Sequence, residues 1–456
     1  MKKKRRLPCP DATPEIAVLS NPCVTSDVIV IGAGFAGLSA AMTLAESGRT
    51  PMVFESADTV GGMAGCFQVN DTRLEQCYHH LFAQDQQILD VLADLGLSER
   101  IRWKSTPMGF YTDGALHNFT SPMDLLTFRP VTLVDRLRFA ALPFCAAVSA
   151  RALDDVGAAE WLKRILGARA FDRIMAPLIK AKFGLPGEEI SAAFIRGRLA
   201  ARVRSRSPKG AREKLGYLEG GMQVAANRMA KRIETAGGRI LKKTPVVGID
   251  TAENHRFAVI TEVGRFETDH VVFTPPAHVL KRLWLREDDL VDRLSDFKYR
   301  PVVCVTLGLD APLGRHYWIN VTDPDIPFGV VVEHTQLMGA DYYGGDHIVY
   351  LAAYTDDASN IFQADDDALM ETFTAGLSRV FPAFGPDRIR WHNIYREASA
   401  TPVFQKGYAA KIDALAKALP NGLHLAGNIL TYPGSRNVSN VIRLGISAAS
   451  KIVYES

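Results

Sequence analysis

Residues 77–82 read CYHHLF, and the adjacent His79 and His80 are the first side chains along the chain whose pairing suggests chemistry. Two imidazoles suit a pair of metal ligands, a proton acceptor beside a bound cofactor, or two polar side chains on an ordinary strand satisfied by backbone hydrogen bonds. Taken as a strand, the segment sends neighbours to opposite faces, which puts His79 with Cys77 and Leu81, and His80 with Tyr78 and Phe82. That alternation disfavours a shared metal, and none of the 11 histidines forms an HxH or HExxH pattern, so no metal is expected. His80 leans toward the pocket, because two aromatic neighbours suit an apolar wall. VVVEHTQL (330–337) and HIVYLAAYT (347–355) add Glu333, His334, Tyr350 and Tyr354, and alternation again admits only one of Glu333 and His334 to a pocket. The candidate catalytic set is therefore Tyr78, His79, His80, His334 and Tyr354.

These groups need a cofactor or substrate, and DVIVIGAGFAGLSAAMTLAESGRTPMVFES (27–56) supplies the first element that would position one. Val28 to Ile31 is an apolar, β-branched run expected to form a buried parallel strand, and Ala36 to Glu46 has a small-residue helical pattern. Between them Gly32, Gly34 and Gly37 stand in GxGxxG spacing. Gly32 permits the tight turn, Gly34 lets a pyrophosphate reach the backbone, and Gly37 lets the helix pack close to the strand. Phe35 and Ala36 open a helix whose N-terminus would face the phosphates. A second strand, Pro51 to Phe54, ends at Glu55 and Ser56, where a carboxylate accepts from a ribose hydroxyl and repels a 2′-phosphate.

Which dinucleotide is bound is decided by resemblance. ESADTVGGMAG (55–65) resembles the glycine pair that follows the ribose carboxylate in flavoproteins of the amine oxidase, phytoene desaturase and protoporphyrinogen oxidase superfamily. Three more segments resemble that superfamily in the same order: YLEGGMQVAANRMAKRIETAGGRILKKTPVVGI (217–249), HVVFTPPAHVL (270–280) and GLHLAGNILTYPGSRNVSNVIRLGISAASKIV (422–453). The resemblance implies non-covalent FAD, held also by Gly61, Gly62, Met63, Val247, Gly427, Asn428, Asn437 and Val438. Asn428 stands where the superfamily carries an acid. TRLEQCYHHLF (72–82) resembles the segment that returns beneath the flavin ring, and APLIKAKFGLPGEEISAAFIRGRL (176–199) resembles the bacterial protoporphyrinogen-oxidase-like oxidoreductases. Amine-oxidising members carry a lysine on the strand that resembles 300–308, which here reads RPVVCVTLG. The departure lowers the amine oxidase reading and favours oxidation or desaturation of a mainly apolar small molecule. A rival is the UDP-galactopyranose mutase type, for which Arg196, Arg198, Arg202 and Arg204 would hold a diphosphate.

The implied fold class is α/β, a Rossmann-type, GR2-like FAD-binding domain interleaved with an α+β substrate-binding domain. The expected divisions are a flexible basic extension (1–25), a discontinuous FAD domain (26–99, 216–285 and 406–456), a helical lid insert (100–215), and a substrate sheet plus helix (286–405). At 456 residues the chain exceeds one ordinary core, and a net charge of +3 gives no case for nucleic acid. Basic runs at MKKKRR and 196–214, with the apolar FAALPFCAAV (139–148), leave peripheral contact with a membrane open, as they do a homodimer. Six cysteines without a CxxC pair fit free thiols in a cytoplasmic setting, membrane-associated at its inner face if those runs act there.

Overall fold

The computed structural model describes residues 24–142, 149–204, 214–251, 256–356 and 358–454. Four apolar runs make the central layer. Strands Val28–Ile31, Pro51–Phe54, His270–Phe273 and Leu423–Leu425 pair in parallel, with Arg239–Leu241 on the outer edge, in the order 239–241, 51–54, 28–31, 270–273, 423–425. Three distant chain segments thus build one sheet. Its inner strands are buried on both faces, as a parallel sheet covered by helices requires.

Helices Phe35–Glu46, Met222–Thr235 and Val438–Tyr454 cover one face, and small residues let them approach closely. A Cβ on Gly445 would lie 2.1 Å from the carbonyl oxygen of Ala36, so the C-terminal helix crosses the first helix almost backbone to backbone. The Ser39 hydroxyl spans the crossing, donating to the carbonyls of Ala36 and Ile442 at 2.9 and 3.2 Å.

The second large layer is a seven-stranded sheet in the order 389–402, 299–309, 347–354, 330–333, 318–321, 108–112, 115–118. Two of its strands, Met108–Thr112 and Ala115–Asn118, fall inside the segment expected to be a helical insert. With Ile101–Ser105 they make the opening of 100–215 extended, and helices begin only at Pro122–Leu126. The physical reason is pairing: Met108–Tyr111 runs parallel to Trp318–Val321, a long-range partner that local helical spacing does not reveal. Val24–Thr25 likewise departs from the expected flexible extension, pairing in parallel with Phe266–Glu267. Residues 1–23 and most of FAALPFCAAV lie outside the described residues.

Candidate cofactor and substrate site

Each inner strand of the parallel sheet ends at the same edge, and there the chain turns through Gly32, Glu55, Thr274 and Ala426–Gly427. That edge is where open α/β sheets bind ligands. Gly32 has φ +93°, and a Cβ there would lie 2.6 Å from Thr274 Oγ1. Gly37 is tighter still, since its Cβ would fall 1.9 Å from the Gly32 carbonyl oxygen. The first helix starts at Gly34 without a side-chain cap, leaving its first-turn N–H groups for an anion.

The GGMAG turn is locked onto this loop. Gly61 N–H donates to the Ala33 carbonyl at 2.8 Å, and a Cβ on Gly62 would approach the Gly34 Cα to 3.0 Å. Gln223, buried at the start of the second helix, fastens both ends of the turn: its amide donates to Val60 O at 2.7 Å and its carbonyl accepts from Cys66 N at 3.4 Å. Met63 packs at the end of the turn against the aromatic cluster that holds Tyr78 and Phe82. Glu55 accepts from Ala33 N–H at 2.7 Å and from Ala57 N–H at 2.9 Å, which fixes its carboxylate beside the glycine loop; the Ser56 hydroxyl donates to it at 3.3 Å. Thr244 N–H donates to Glu55 O, drawing the next strand alongside, and the pairing register of that strand slips at Val247. Val247 is left 38% exposed at that slip.

At the other end Gly427 backs onto the carbonyls of Thr274 and Pro275, so a Cβ there would meet oxygens at 3.3–3.5 Å. Asn428 follows with its Oδ1 buried and without a hydrogen-bond partner. Asn437 caps the C-terminal helix, accepting from Asn440 N–H at 2.9 Å while its amide donates to Asp85 at 2.9 Å. Its side chain is thereby committed, and its carbonyl accepts from Val441 N–H at 3.2 Å, while Val438 lines the cavity beside His79 and His80. Burial pushes Asp85 up to about 6. An uncapped helix start, two glycine turns in backbone contact, a carboxylate fixed beside them and an orphaned buried amide oxygen together fit a bound FAD.

CYHHLF departs from its expected geometry. Cys77 to His80 lie in no strand, and pairing resumes only at Leu81–Phe82. Alternation therefore does not separate the histidines: both His79 and His80 line one small cavity with Glu75, Tyr217, Met222 and Val438. His79 Nδ1 sits 2.7 Å from Cys77 O, and burial holds its pKa down to about 4, so it is neutral near pH 7. His80 Nδ1 lies 3.2 Å from Tyr317 OH, with its ring edge-on to Phe82 and Trp318.

Tyr78 reaches across to Tyr354, their hydroxyls 2.9 Å apart, and packs edge-on against Trp318 and Tyr350. Two cations attend this pair. Arg436 Nη2 donates to Tyr354 OH at 3.3 Å, and Lys182 Nζ lies 5.8 Å from the centroid of the Tyr354 ring. Arg300 Nη2 lies 3.4 Å from Tyr354 O, and its guanidinium fills the space that a side chain on Gly184 would need.

His334 lies behind the cavity of His79 and His80, its ring edge-on to Tyr217 and Tyr350 at 4.5 and 6.1 Å between centroids. Its strand ends at Glu333, so the two residues part where a helical turn begins rather than by strand alternation. Glu333 accepts from the N–H groups of Leu313 and Gly314, and burial raises it to about 7. His334 is 1% exposed and bonded to Tyr343 OH at 2.6 Å; burial, with a smaller contribution from His80, pushes it down to about 3.

The sequence reading missed Glu75. It is wholly buried, accepts from Tyr217 OH at 2.7 Å and Met222 N–H at 2.8 Å, and is raised by burial to about 7. Its signal was a carboxylate standing next to an apolar strand residue, one position short of CYHH. Lys182 and Tyr217 were missed as well, the first inside the KFG segment and the second opening the GGM block.

The family described as flavin containing amine oxidoreductase matches residues 35–453. Soybean (Glycine max) 15-cis-phytoene desaturase is 23% identical over 475 residues, covering 95% of this chain and 80% of its own. A Mycobacterium tuberculosis protein, provisionally named flavin-containing monoamine oxidase AofH, is 26% identical over 274 residues, covering 57% of this chain and 59% of that relative's length. In fold, the chain is similar to a provisionally named protoporphyrinogen oxidase from Exiguobacterium, with a TM-score of 0.77 at 18% identity over 95% of this chain and 100% of that one.

Proposed function

The chain belongs to the flavin-containing amine oxidoreductase family, and from that premise we propose that it is an FAD-dependent oxidoreductase removing hydride from a mainly apolar organic substrate, by oxidation or desaturation. Bound FAD would supply the two-electron acceptor. The protein's share is to hold that group on the glycine loops, Glu55 and the Asn428 turn, and to present a dry wall of Tyr78, Trp318, Tyr350 and Tyr354 to the substrate. Water exclusion strengthens every polar contact made inside such a wall. The Tyr78–Tyr354 hydroxyl pair, steadied by Arg436, would orient a polar group on the substrate.

One observation carries the choice of substrate class. Among the described residues no carboxylate pairs with Arg436, and the groups facing it include Tyr354, Tyr78, Cys77 and His79. A substrate ammonium entering here would meet the like charge of Arg436, which no carboxylate among the described residues pairs with. Neutral or acidic apolar substrates suit the site better than amines, in agreement with the lysine-free strand 299–309.

Anaerobic bleaching of the yellow protein tests this. Apolar alcohols, isoprenoids or porphyrinogens should reduce the flavin, and simple amines should not. Turnover of a UDP-sugar only after the flavin is pre-reduced, with no electron acceptor consumed, would overturn the proposal in favour of a mutase.

A further inference from the structure

Five of the ten exposed large apolar side chains of the described residues fall within one stretch of fifteen: Met123, Leu126, Leu133, Val134 and Leu137. They lie on two consecutive short helices, Pro122–Leu126 and Leu133–Ala141. Met123 and Leu126 are three apart, and Leu133, Val134 and Leu137 follow helical spacing, so each helix turns an apolar stripe outward. Leu133 is 61% and Leu137 56% exposed.

Folding does not require this face. The inner side of the same segment is already anchored by Phe128 and Val131, which pack with Phe110 and Ile174. A contiguous apolar patch with no role in the core marks a contact with another apolar phase.

The charges around the patch select that phase. Both acids of the two helices are turned to internal work. Asp124 accepts from the Thr120 and Ser121 N–H groups, and Asp135 binds Thr132 and Arg169. Arg129 and Arg138 on the same segment are exposed, Arg138 also donating from Nη1 to Leu166 O at 3.3 Å. Apolar residues outward, exposed arginine on the same segment and the acids withdrawn is the arrangement of an interfacial helix on an anionic lipid surface. We propose that the helices 122–126 and 133–141 form a docking face for an anionic membrane surface, their apolar stripes entering the headgroup boundary. This does not rest on the oxidoreductase reading.

Co-sedimentation of the full-length, FAD-loaded protein with vesicles of phosphatidylcholine and phosphatidylglycerol tests it. Binding should survive in part at about 1 M salt, where the screening length is about 3 Å and attraction through the basic N-terminal run is suppressed. A Leu133→Glu, Leu137→Glu double variant should bind about tenfold or more weakly, because each charge would have to enter the apolar boundary. Its FAD content and rate of flavin reduction should not change. Absence of vesicle binding, or equal binding by the variant, would overturn the proposal. A wild-type dimer in lipid-free solution that the variant dissociates would overturn it too, by assigning the face to a second copy of the chain.

Discussion

At the carboxyl edge of the parallel sheet the cradle is made of backbone, whereas the wall facing it is made of side chains. In the cradle the backbone comes so close that a methyl added at Gly37 would collide with the Gly32 carbonyl, one at Gly62 would press on the Gly34 Cα, and one at Gly32 would meet the Thr274 hydroxyl. In the wall Tyr78, Trp318, Tyr350 and Tyr354 come from an irregular segment and two separate strands, Lys182 reaches in from helix Ala176–Phe183 and Arg436 from the turn before the C-terminal helix. The cradle tolerates no change of shape. The wall tolerates changes of shape more readily than changes of charge, because its groups act through hydroxyls and cations held in a low-dielectric setting.

Substitution at Gly37 should separate the two regions most sharply. Gly37→Val places atoms inside the Gly32 carbonyl, and the purified protein should lose its yellow colour, with FAD content falling by about tenfold or more. A fully loaded variant would show that the loop yields and that the cradle is not set by backbone approach.

Next in size is Arg436→Gln. Loss of a charged hydrogen bond of about 1.5–3 kcal/mol should slow flavin reduction by roughly 10- to 100-fold while FAD content stays constant. Loss of FAD in this variant would move Arg436 from the wall to the cradle.

Glu75 gives a pH signature. Its folded pKa of about 7 lies above the 4.5 of an exposed glutamate, so the native state holds a proton that the unfolded chain releases. Its contribution is full below about pH 4.5 and is lost as pH rises to about 7. Across that window thermal or urea unfolding of Glu75→Gln should gain on wild type by about 3 kcal/mol, at 1.36 kcal/mol per pK unit. Parallel curves for the two proteins would show that Glu75 ionises freely in the fold.

The smallest effects are expected at the histidines. His79→Ala and His80→Ala should each change flavin reduction only a few-fold, the latter more if Tyr317 and His80 line the substrate path. Because His79 is held near 4, the pH–rate profile should show no inflection from it between pH 5 and 8. An inflection near 6.5 that His79→Ala removes would return His79 to catalysis.

The cradle was legible because its requirement is local. A strand, three glycines at fixed spacing, a helix and an acid at the next strand are adjacent in the chain, and each residue type follows from a steric demand. The wall was only partly legible. Tyr78 and Tyr354 were singled out separately, but their 2.9 Å contact spans 276 positions and depends on where strand 347–354 lies in the second sheet. The reading of 77–80 as a strand failed because an apolar and aromatic alternation was taken for pairing, when no partner strand lies beside it. The insert 100–215, expected to be mostly helical, opens with strands for the opposite reason, since Met108–Tyr111 pairs with Trp318–Val321, 210 residues away.

By itself the sequence determined the glycine loop, the carboxylate of Glu55 at the end of the next strand, the absence of a lysine from strand 299–309 and the order of the blocks that rebuild one sheet from three segments. Only the tertiary structure decided that both histidines line the same cavity, that Glu75 is a buried carboxyl near neutrality, and that Arg436 and Lys182 converge on Tyr354. The division is physical. Steric constraints on backbone act between near neighbours and leave a spacing behind, whereas burial and charge are properties of an environment assembled from residues far apart in the chain.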